Sequence, residues 1–271
     1  MDWSGQCAVL IPCLNEAATI GTVVAQARLH LSTVVVVNDG SCDRTEELAA
    51  LNGATVLRHD RSRGKGAALR TGLNWLHEQN FPWTLMMDGD GQHLADDITH
   101  FLSRAETTDA ALIIGNRMLN SASMPWLRRR VNQWMSNRLS AVAGKTLPDS
   151  QCGFRLLRLS IWPSLELRTN HFEFESELLI ASLASGHRVE FVPVRAIYGR
   201  ESSKIRPIPD TWRWLKWWIS LRTSRAGPNR VKRNQRPENE VNGLPSTIAS
   251  QNEQEDSDHR RHTRSWISDG P

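Results

Sequence analysis

The sequence predicts a doubly wound, Rossmann-like α/β fold: a mainly parallel sheet with flanking helices, in a single domain. Three observations predict it. Five runs between Cys7 and Arg117, reading CAVLIPCL, TVVVVND, ATVLRH, WTLMMDGD and AALIIGNR, are almost continuously apolar, as strands buried on both faces should be. Helical patterns separate them, and strand–helix–strand repetition argues for parallel pairing. Polar clusters close the runs at Asn15-Glu16, Asn38-Asp39-Gly40-Ser41, Asp88-Gly89-Asp90 and Asn116-Arg117. Open α/β sheets bind their ligands beyond such carboxyl ends.

Taken in order, the first helix shows Ile20, Val23, Val24 and Ala27 at helical spacing. DRTEELAALNG starts a second helix at a cap-like Asp43 and stops it at Gly53; GKGAALRTGLNWLHEQN is a third. Arg128 to about Val142 reads as a basic helix entered after Pro125. QCGFRLLR reads as a turn into a strand, FEFESELLIASLASG as a strand-like start that becomes a helix ending at Gly186, and RVEFVPVRAIY as a strand. TWRWLKWWISLR holds four of the eleven tryptophans and sets Trp214, Leu215, Trp217 and Trp218 on one helical face. That face suits an interfacial helix or one packed on the domain. The expected domain is 5–222; residues 223–271 turn to Asn, Gln, Glu, Asp, Arg, Ser and Pro and read as a disordered polar tail.

The 271 residues are 39% hydrophobic and 23% charged, ordinary for a globular protein. No apolar run approaches the roughly 20 residues of a membrane-spanning helix. The N-terminus lacks a basic region before its first strand, so no signal peptide is expected and free thiols in a reducing, cytoplasmic setting are. A net charge of +4 and a pI of about 9.1 suit phosphates, anionic lipid surfaces or nucleic acid. Nucleic acid is disfavoured: acidic residues offset the arginines of the tail, and no aromatic–basic binding motif is present.

The candidate site residues lie at the strand ends. Asp88 and Asp90 are two apart, and in extended backbone they share a face with Gln92. Two carboxylates and an amide oxygen could hold Mg²⁺ or Mn²⁺; a glycine-rich turn with solvated acids is the plain alternative. Asp39 could accept from a nucleobase or ribose, or simply build a turn. RSRGKGAALRTG lacks P-loop spacing, yet Arg63, Lys65 and the backbone after Gly64 could meet a diphosphate at a helix N-terminus, or form a solvated loop. Arg128, Arg129, Arg130 and Arg138 form a basic face flanked by tryptophan and methionine, suited to a phosphate headgroup or to plain solvation.

Taken together, IPCLNEA, VVVNDGSCDRT, RGKGAALRTG, MDGDGQH, GNR, DSQCGFR, FEFESELL and RESSKI resemble the family 2 glycosyltransferases of the GT-A fold, most of all the polyprenyl-phosphate mannosyl- and glucosyltransferases. The resemblance runs from Gln6 to Leu221. It implies that Pro12, Leu14, Glu16 and Asp39 line a nucleoside pocket, and that Asp88, Asp90 and Gln92 hold a divalent metal on the sugar-nucleotide diphosphate. It implies that Arg117 and a helix arginine, Arg129 or Arg130, face the acceptor phosphate, with Arg200 and Lys204 near the phosphates. QCGFR, Glu175 and Glu177 would shape the sugar and acceptor side. Leu14 stands where an aromatic often stacks on the base, and Asn38 replaces the first of the usual aspartate pair. The implied reaction is inverting transfer of a hexose from a UDP- or GDP-sugar to a lipid phosphate, by an enzyme peripheral to the cytoplasmic face of the membrane. A hydroxyl acceptor would need a general base, for which Asp149 is the first candidate.

Overall fold

The computed structural model describes residues 2–119, 124–198 and 207–223. Its strands are β1 (Cys7–Cys13), β2 (Thr33–Asn38), β3 (Thr55–Arg58), β4 (Trp83–Met86), β5 (Leu112–Asn116), β6 (Arg155–Arg158) and β7 (Val189–Pro193). The helices are α1 (Ile20–Arg28), α2 (Thr45–Leu51), α3 (Lys65–Glu78), α4 (Ile98–Thr107), α5 (Trp126–Ala143), α6 (Phe174–Ala184) and α7 (Pro207–Thr223). One sheet takes all seven strands in the order β3-β2-β1-β4-β6-β5-β7.

The expected α/β architecture is present. β1 pairs in parallel with β2 and β4, β2 with β3, and β5 with β7. The exception is β6, antiparallel to both β4 and β5. Its first residue, Arg155, lies opposite Met86 and Ile114, so the loop leading into β6 arrives at the edge where β4 and β5 end. This brings residues 149–155 beside the polar strand ends.

The apolar runs supply the core: residues 7–11 and 34–37 are fully or almost fully buried. Ile20, Val23, Val24 and Ala27 are the buried residues of α1, as their spacing predicts. α3 packs across β1 and β2, and closely: a Cβ on Gly72 would lie 2.1 Å from Leu10 Cδ1. Glycine at 72 is therefore what lets Lys65, at the start of α3, sit over the sheet edge.

Two local expectations change. Phe172–Glu175 forms no strand; a turn precedes α6, and Phe174 and Glu175 are already helical and buried. Its alternating pattern is too short to outcompete the helix that follows. The tryptophan face of α7 packs on the domain: Trp214 is buried, its Nε1 donates to Ser176 Oγ at 2.9 Å, and Trp217, Trp218 and Leu221 rest on the core. Trp212 lies on the opposite, exposed side. All four cysteines are free, and Cys42 alone is exposed. Among the described residues no helix is long and apolar enough to cross a membrane. Arg200, Lys204 and the tail from 224 lie outside the described residues.

Candidate active site

The loop after β1 carries Leu14, Asn15 and Glu16, and Asn15 holds a left-handed φ of 53°. Hydrogen bonds to the next loop support that conformation. Asn15 N donates to Ser41 Oγ (2.9 Å), Asn15 Oδ1 accepts from Cys42 N (2.8 Å), and Glu16 N donates to Thr45 Oγ1 (2.8 Å). Thr19 Oγ1 then donates to the Gly89 carbonyl at 2.7 Å, tying the same loop to the Asp-Gly-Asp turn. Pro12, Leu14 and Glu16 are half-buried at this edge.

Asp39 is buried and accepts four hydrogen bonds. Oδ1 faces His59 Nδ1 (2.6 Å) and Arg63 N (2.9 Å); Oδ2 takes Ser62 Oγ (2.8 Å) and Gly64 N (2.9 Å). Its lone pairs are spent on folding residues 59–64. The structure thus makes Asp39 the anchor of the loop that leads into α3, in place of an open carboxylate for a base or ribose. Arg63 contributes its backbone to this arrangement. Its side chain is exposed, beside an open depression of about 520 Å³ lined also by Arg58, His59, Asp60 and Arg61.

The loop delivers Lys65 to the centre. Its Nζ lies 2.6 Å from Asp88 Oδ1 and 2.6 Å from Glu175 Oε1. Burial disfavours the ammonium, but Asp88 and Glu175 outweigh it and hold its pKa above the ordinary lysine value. Asp88 likewise resists burial through Lys65, whose ammonium holds it ionised well below the usual carboxylate range. Gly153 of QCGFR borders this pair: a Cβ there would sit 2.8 Å from Asp88 Oδ2 and 3.1 Å from Lys65 Nζ.

β4 ends at Met86, and a turn at Gly89–Asp90 separates Asp88 from Gln92, so the three do not lie along one continuous strand. Gly91, with φ 74°, turns the chain. Asp90 Oδ1 accepts from Gln92 N at 3.0 Å, and His93 Nδ1 accepts from Asp88 N at 3.2 Å. His93 stacks on Phe154, centroids 4.8 Å apart. Burial lowers its pKa and keeps the imidazole neutral. No trio of His, Cys, Asp or Glu suited to a metal occurs among the described residues. The donors here are instead two carboxylates and the Gln92 amide, hard oxygens that fit Mg²⁺ or Mn²⁺ completed by phosphate oxygens.

Arg117 and Asp149 form a buried bidentate pair. Arg117 Nε donates to Asp149 Oδ2 (2.8 Å), Nη2 to Oδ1 (2.9 Å) and its backbone N to Oδ2 (3.1 Å). Asp149 would be pushed up by burial, yet Arg117 holds it below the usual carboxylate range. A fully buried, ionised carboxylate with this partner is a poor proton acceptor, so Asp149 does not fit the role of general base. Arg117 is correspondingly committed to Asp149.

The helix arginine at the site is Arg128. Its Nη1 donates to Gln92 Oε1 at 3.3 Å, and its guanidinium lies 5.3 Å from the Tyr198 ring centroid. Arg129 and Arg130 are exposed. Helical phase explains the difference: Arg128 leads the stripe that continues through buried Asn132, Met135 and Leu139, and its neighbours fall off it. Glu175 joins the centre through Lys65. Glu177 does not; it accepts from Arg168 N, Thr169 N and Thr169 Oγ1.

The match to a family model settles the kinship: residues 8–163, more than half of the chain, fit Glycosyl transferase family 2. The chain belongs to glycosyl transferase family 2. This family 2 transferase is 28% identical to the UDP-N-acetylglucosamine–dolichyl-phosphate N-acetylglucosaminyltransferase of Methanococcus voltae, over 70% of this chain and 85% of that one. It is 26% identical to the undecaprenyl-phosphate mannosyltransferase of Micrococcus luteus, over 68% and 81%. Its fold is that of GT-A glycosyltransferases such as the glucosyl-3-phosphoglycerate synthase of Mycobacterium tuberculosis, with a TM-score of 0.59, 18% identity and coverage of 86% and 80%. That structure holds Mn²⁺, UDP and phosphoglyceric acid.

Several residues of the transferase site carry no individual role in the sequence reading. Arg155 is fully buried and donates to the carbonyls of Ser150, Cys152 and Glu175, fixing the QCGFR loop to α6. His59 bridges Asp39 and Thr71 Oγ1. Only Arg128 has a readable signal, its place on the buried α5 stripe.

Proposed function

We propose that this family 2 transferase moves a hexose, with inversion, from a UDP- or GDP-sugar to a polyprenyl phosphate. The observation that carries the proposal is the pairing at one sheet edge of the Asp88–Asp90–Gln92 turn with Arg128, which touches Gln92. A hard-oxygen turn suits a diphosphate donor with its cation, and an inward arginine suits an anionic acceptor. The sequence relatives named for dolichyl and undecaprenyl phosphates support the same acceptor class.

Asp88, Asp90 and Gln92 would hold the divalent cation, Mg²⁺ or Mn²⁺, which supplies charge to the leaving diphosphate. The chain's own residues do the rest. Lys65 adds a fixed ammonium beside Asp88, while Glu175 holds that ammonium from the other side. The loop anchored by Asp39 and the one carrying Pro12, Leu14 and Glu16 frame the nucleoside. Arg128 orients the acceptor oxygen for in-line attack. A phosphate is already anionic at neutral pH and needs no strong base, which agrees with a locked Asp149. A hydroxyl acceptor is the second reading, and the Arg117–Asp149 pair disfavours it, because it leaves the first candidate base unavailable.

Peripheral membrane contact is part of the proposal. At the start of α5, Trp126 and Leu127 are 72% and 59% exposed, beside exposed Arg129 and Arg130. The test is incubation with Mn²⁺ or Mg²⁺, a panel of labelled sugar nucleotides, and undecaprenyl or dolichyl phosphate. Label entering the lipid phase from one donor is expected; label only in water-soluble products would overturn the acceptor.

A further inference from the structure

We propose that the Tyr198 hydroxyl binds the phosphate of the acceptor and, with Arg128, completes a phosphate-monoester subsite. The inference rests on the acceptor reading above. Tyr198 follows β7 on a stretch pinned to the catalytic turn: Ile197 N donates to the Gln92 carbonyl at 3.0 Å, and His93 and Ala196 form an antiparallel bridge. The Tyr198 hydroxyl oxygen is buried and has no hydrogen-bond partner among the described residues. Its ring lies against the guanidinium of Arg128, 5.3 Å from the centroid, and Arg128 is the residue that reaches Gln92.

A buried hydroxyl without a partner is rare, because desolvating it is unfavourable unless something accepts its proton. Here the missing acceptor has a recognisable chemistry. The charged groups acting on the phenol include the cations Arg117 and Arg128, with Asp149 already tied to Arg117. With Arg117 neutralised by Asp149, the cation left facing the phenol is Arg128, and an arginine beside a donor hydroxyl favours an anion rich in acceptor oxygens, as a phosphate monoester is. Burial raises the Tyr198 pKa above its ordinary value, so the phenol stays protonated and donates. The hydroxyl holds nothing else in place among the described residues, whereas the ring packs against Arg128. Tyr198→Phe therefore removes the donor and keeps the packing.

The experiment is calorimetric titration of the full chain with citronellyl phosphate, a short isoprenyl monophosphate, and with glycerol 3-phosphate, each in the presence of Mn²⁺ and UDP. Tyr198→Phe is expected to bind roughly tenfold more weakly or worse, with an unchanged melting temperature and unchanged UDP affinity. Loss for citronellyl phosphate alone assigns the subsite to a lipid headgroup; loss for both assigns it to phosphate monoesters in general. If Tyr198→Phe binds both like the wild type while Arg128→Ala fails, Tyr198 has no such role and the acceptor reading stands. If the wild type binds neither, the acceptor reading falls and Tyr198 with it. A drop in melting temperature that accompanies the lost affinity would make the hydroxyl structural and overturn the inference.

Discussion

The parallel half of the sheet, β3-β2-β1-β4, and the mixed half, β6-β5-β7, each bury an aspartate at the same edge, but they satisfy it differently. Asp39 in the parallel half is held by two backbone amides, a serine and a histidine. Asp149 in the mixed half is held by an arginine. Several short hydrogen bonds fold a loop around the Asp39 carboxylate. A buried ion pair holds a cation in place beside Arg128 and Tyr198. Between the halves, Asp88 from the end of β4, Lys65 from α3 and Glu175 from α6 form a chain of alternating charge that ties the two together. The difference teaches that burial alone does not mark a carboxylate open to a ligand: Asp39 and Asp149 are fully enclosed by their partners, while Asp88, although paired with Lys65, and Asp90 are only half-buried beyond the end of β4.

The largest expected effect tests that distinction. Asp88→Ala should lower transfer by roughly a hundred- to a thousandfold or more while the circular dichroism spectrum of the folded protein is kept, Glu175 still pairing with Lys65. Turnover by the purified variant within a few-fold of wild type would return the turn to a structural role. Asp88 is 27% exposed in its side chain, so the fold does not depend on it as it depends on Asp149.

Arg117→Ala reaches the mixed half. It strands a fully buried, ionised carboxylate, and the expected cost is about 3–5 kcal/mol of stability, read by urea denaturation. The pH dependence follows from the direction of the Asp149 shift. Its folded pKa lies below the ordinary aspartate value, so its stabilisation is full above that value and is lost as pH falls through the folded pKa. Wild type should lose stability below about pH 4, and Asp149→Asn should flatten that limb. An unchanged acid limb would break the claim that Arg117 and Asp149 act as a pair.

In the parallel half, Asp39→Asn should be milder, about 1–3 kcal/mol, because an amide keeps one acceptor oxygen for the backbone donors of the loop. The loop at 59–64 should loosen with it. Hydrogen exchange at the Arg63 and Gly64 amides should rise, and UDP or GDP affinity should fall. A loss of nucleotide affinity with those amides still protected would sharpen the comparison the other way, giving Asp39 a direct contact.

The difference between halves also explains what the sequence made legible. Buried strands are continuous apolar runs, so β1, β2, β4 and β5 and the polar residues at their ends are visible directly; β3, expected to be buried on both faces, is a half-exposed edge strand. The antiparallel insertion of β6 is not, since RLLR carries no mark of direction. Asp88 and Asp90 are readable as a pair, but not through strand alternation: β4 ends at Met86 and the chain turns at Gly89–Gly91. The sequence does not separate Arg128 from Arg129 and Arg130, because three adjacent arginines look alike until the stripe through Asn132, Met135 and Leu139 fixes the helical phase. The occupation of Asp39 and Asp149 depends on residues 20 to 32 positions away, His59 and Arg117, and no local pattern encodes it.

The smallest expected effect concerns the outer surface. The parallel half exposes Leu29 and Leu51 among its large apolar residues, whereas the chain after β5 exposes Leu119, Trp126, Leu127, Trp134, Ile197, Trp212 and Ile219. Among the described residues, Trp214 is buried and Trp217 and Trp218 are half-buried against the core, so these others offer the more exposed apolar surface. Trp126 and Leu127 precede Arg128 on α5, so a membrane contact there would bring a lipid phosphate to the arginine that touches Gln92. Replacing both by alanine should weaken association with vesicles containing anionic lipid by about 1–2 kcal/mol. Transfer to citronellyl phosphate, which needs no membrane, should hold within about twofold, since surface substitutions rarely disturb the fold. Equal loss with the soluble acceptor would show that the start of α5 serves the site itself, and undiminished vesicle binding would move docking away from the mixed half.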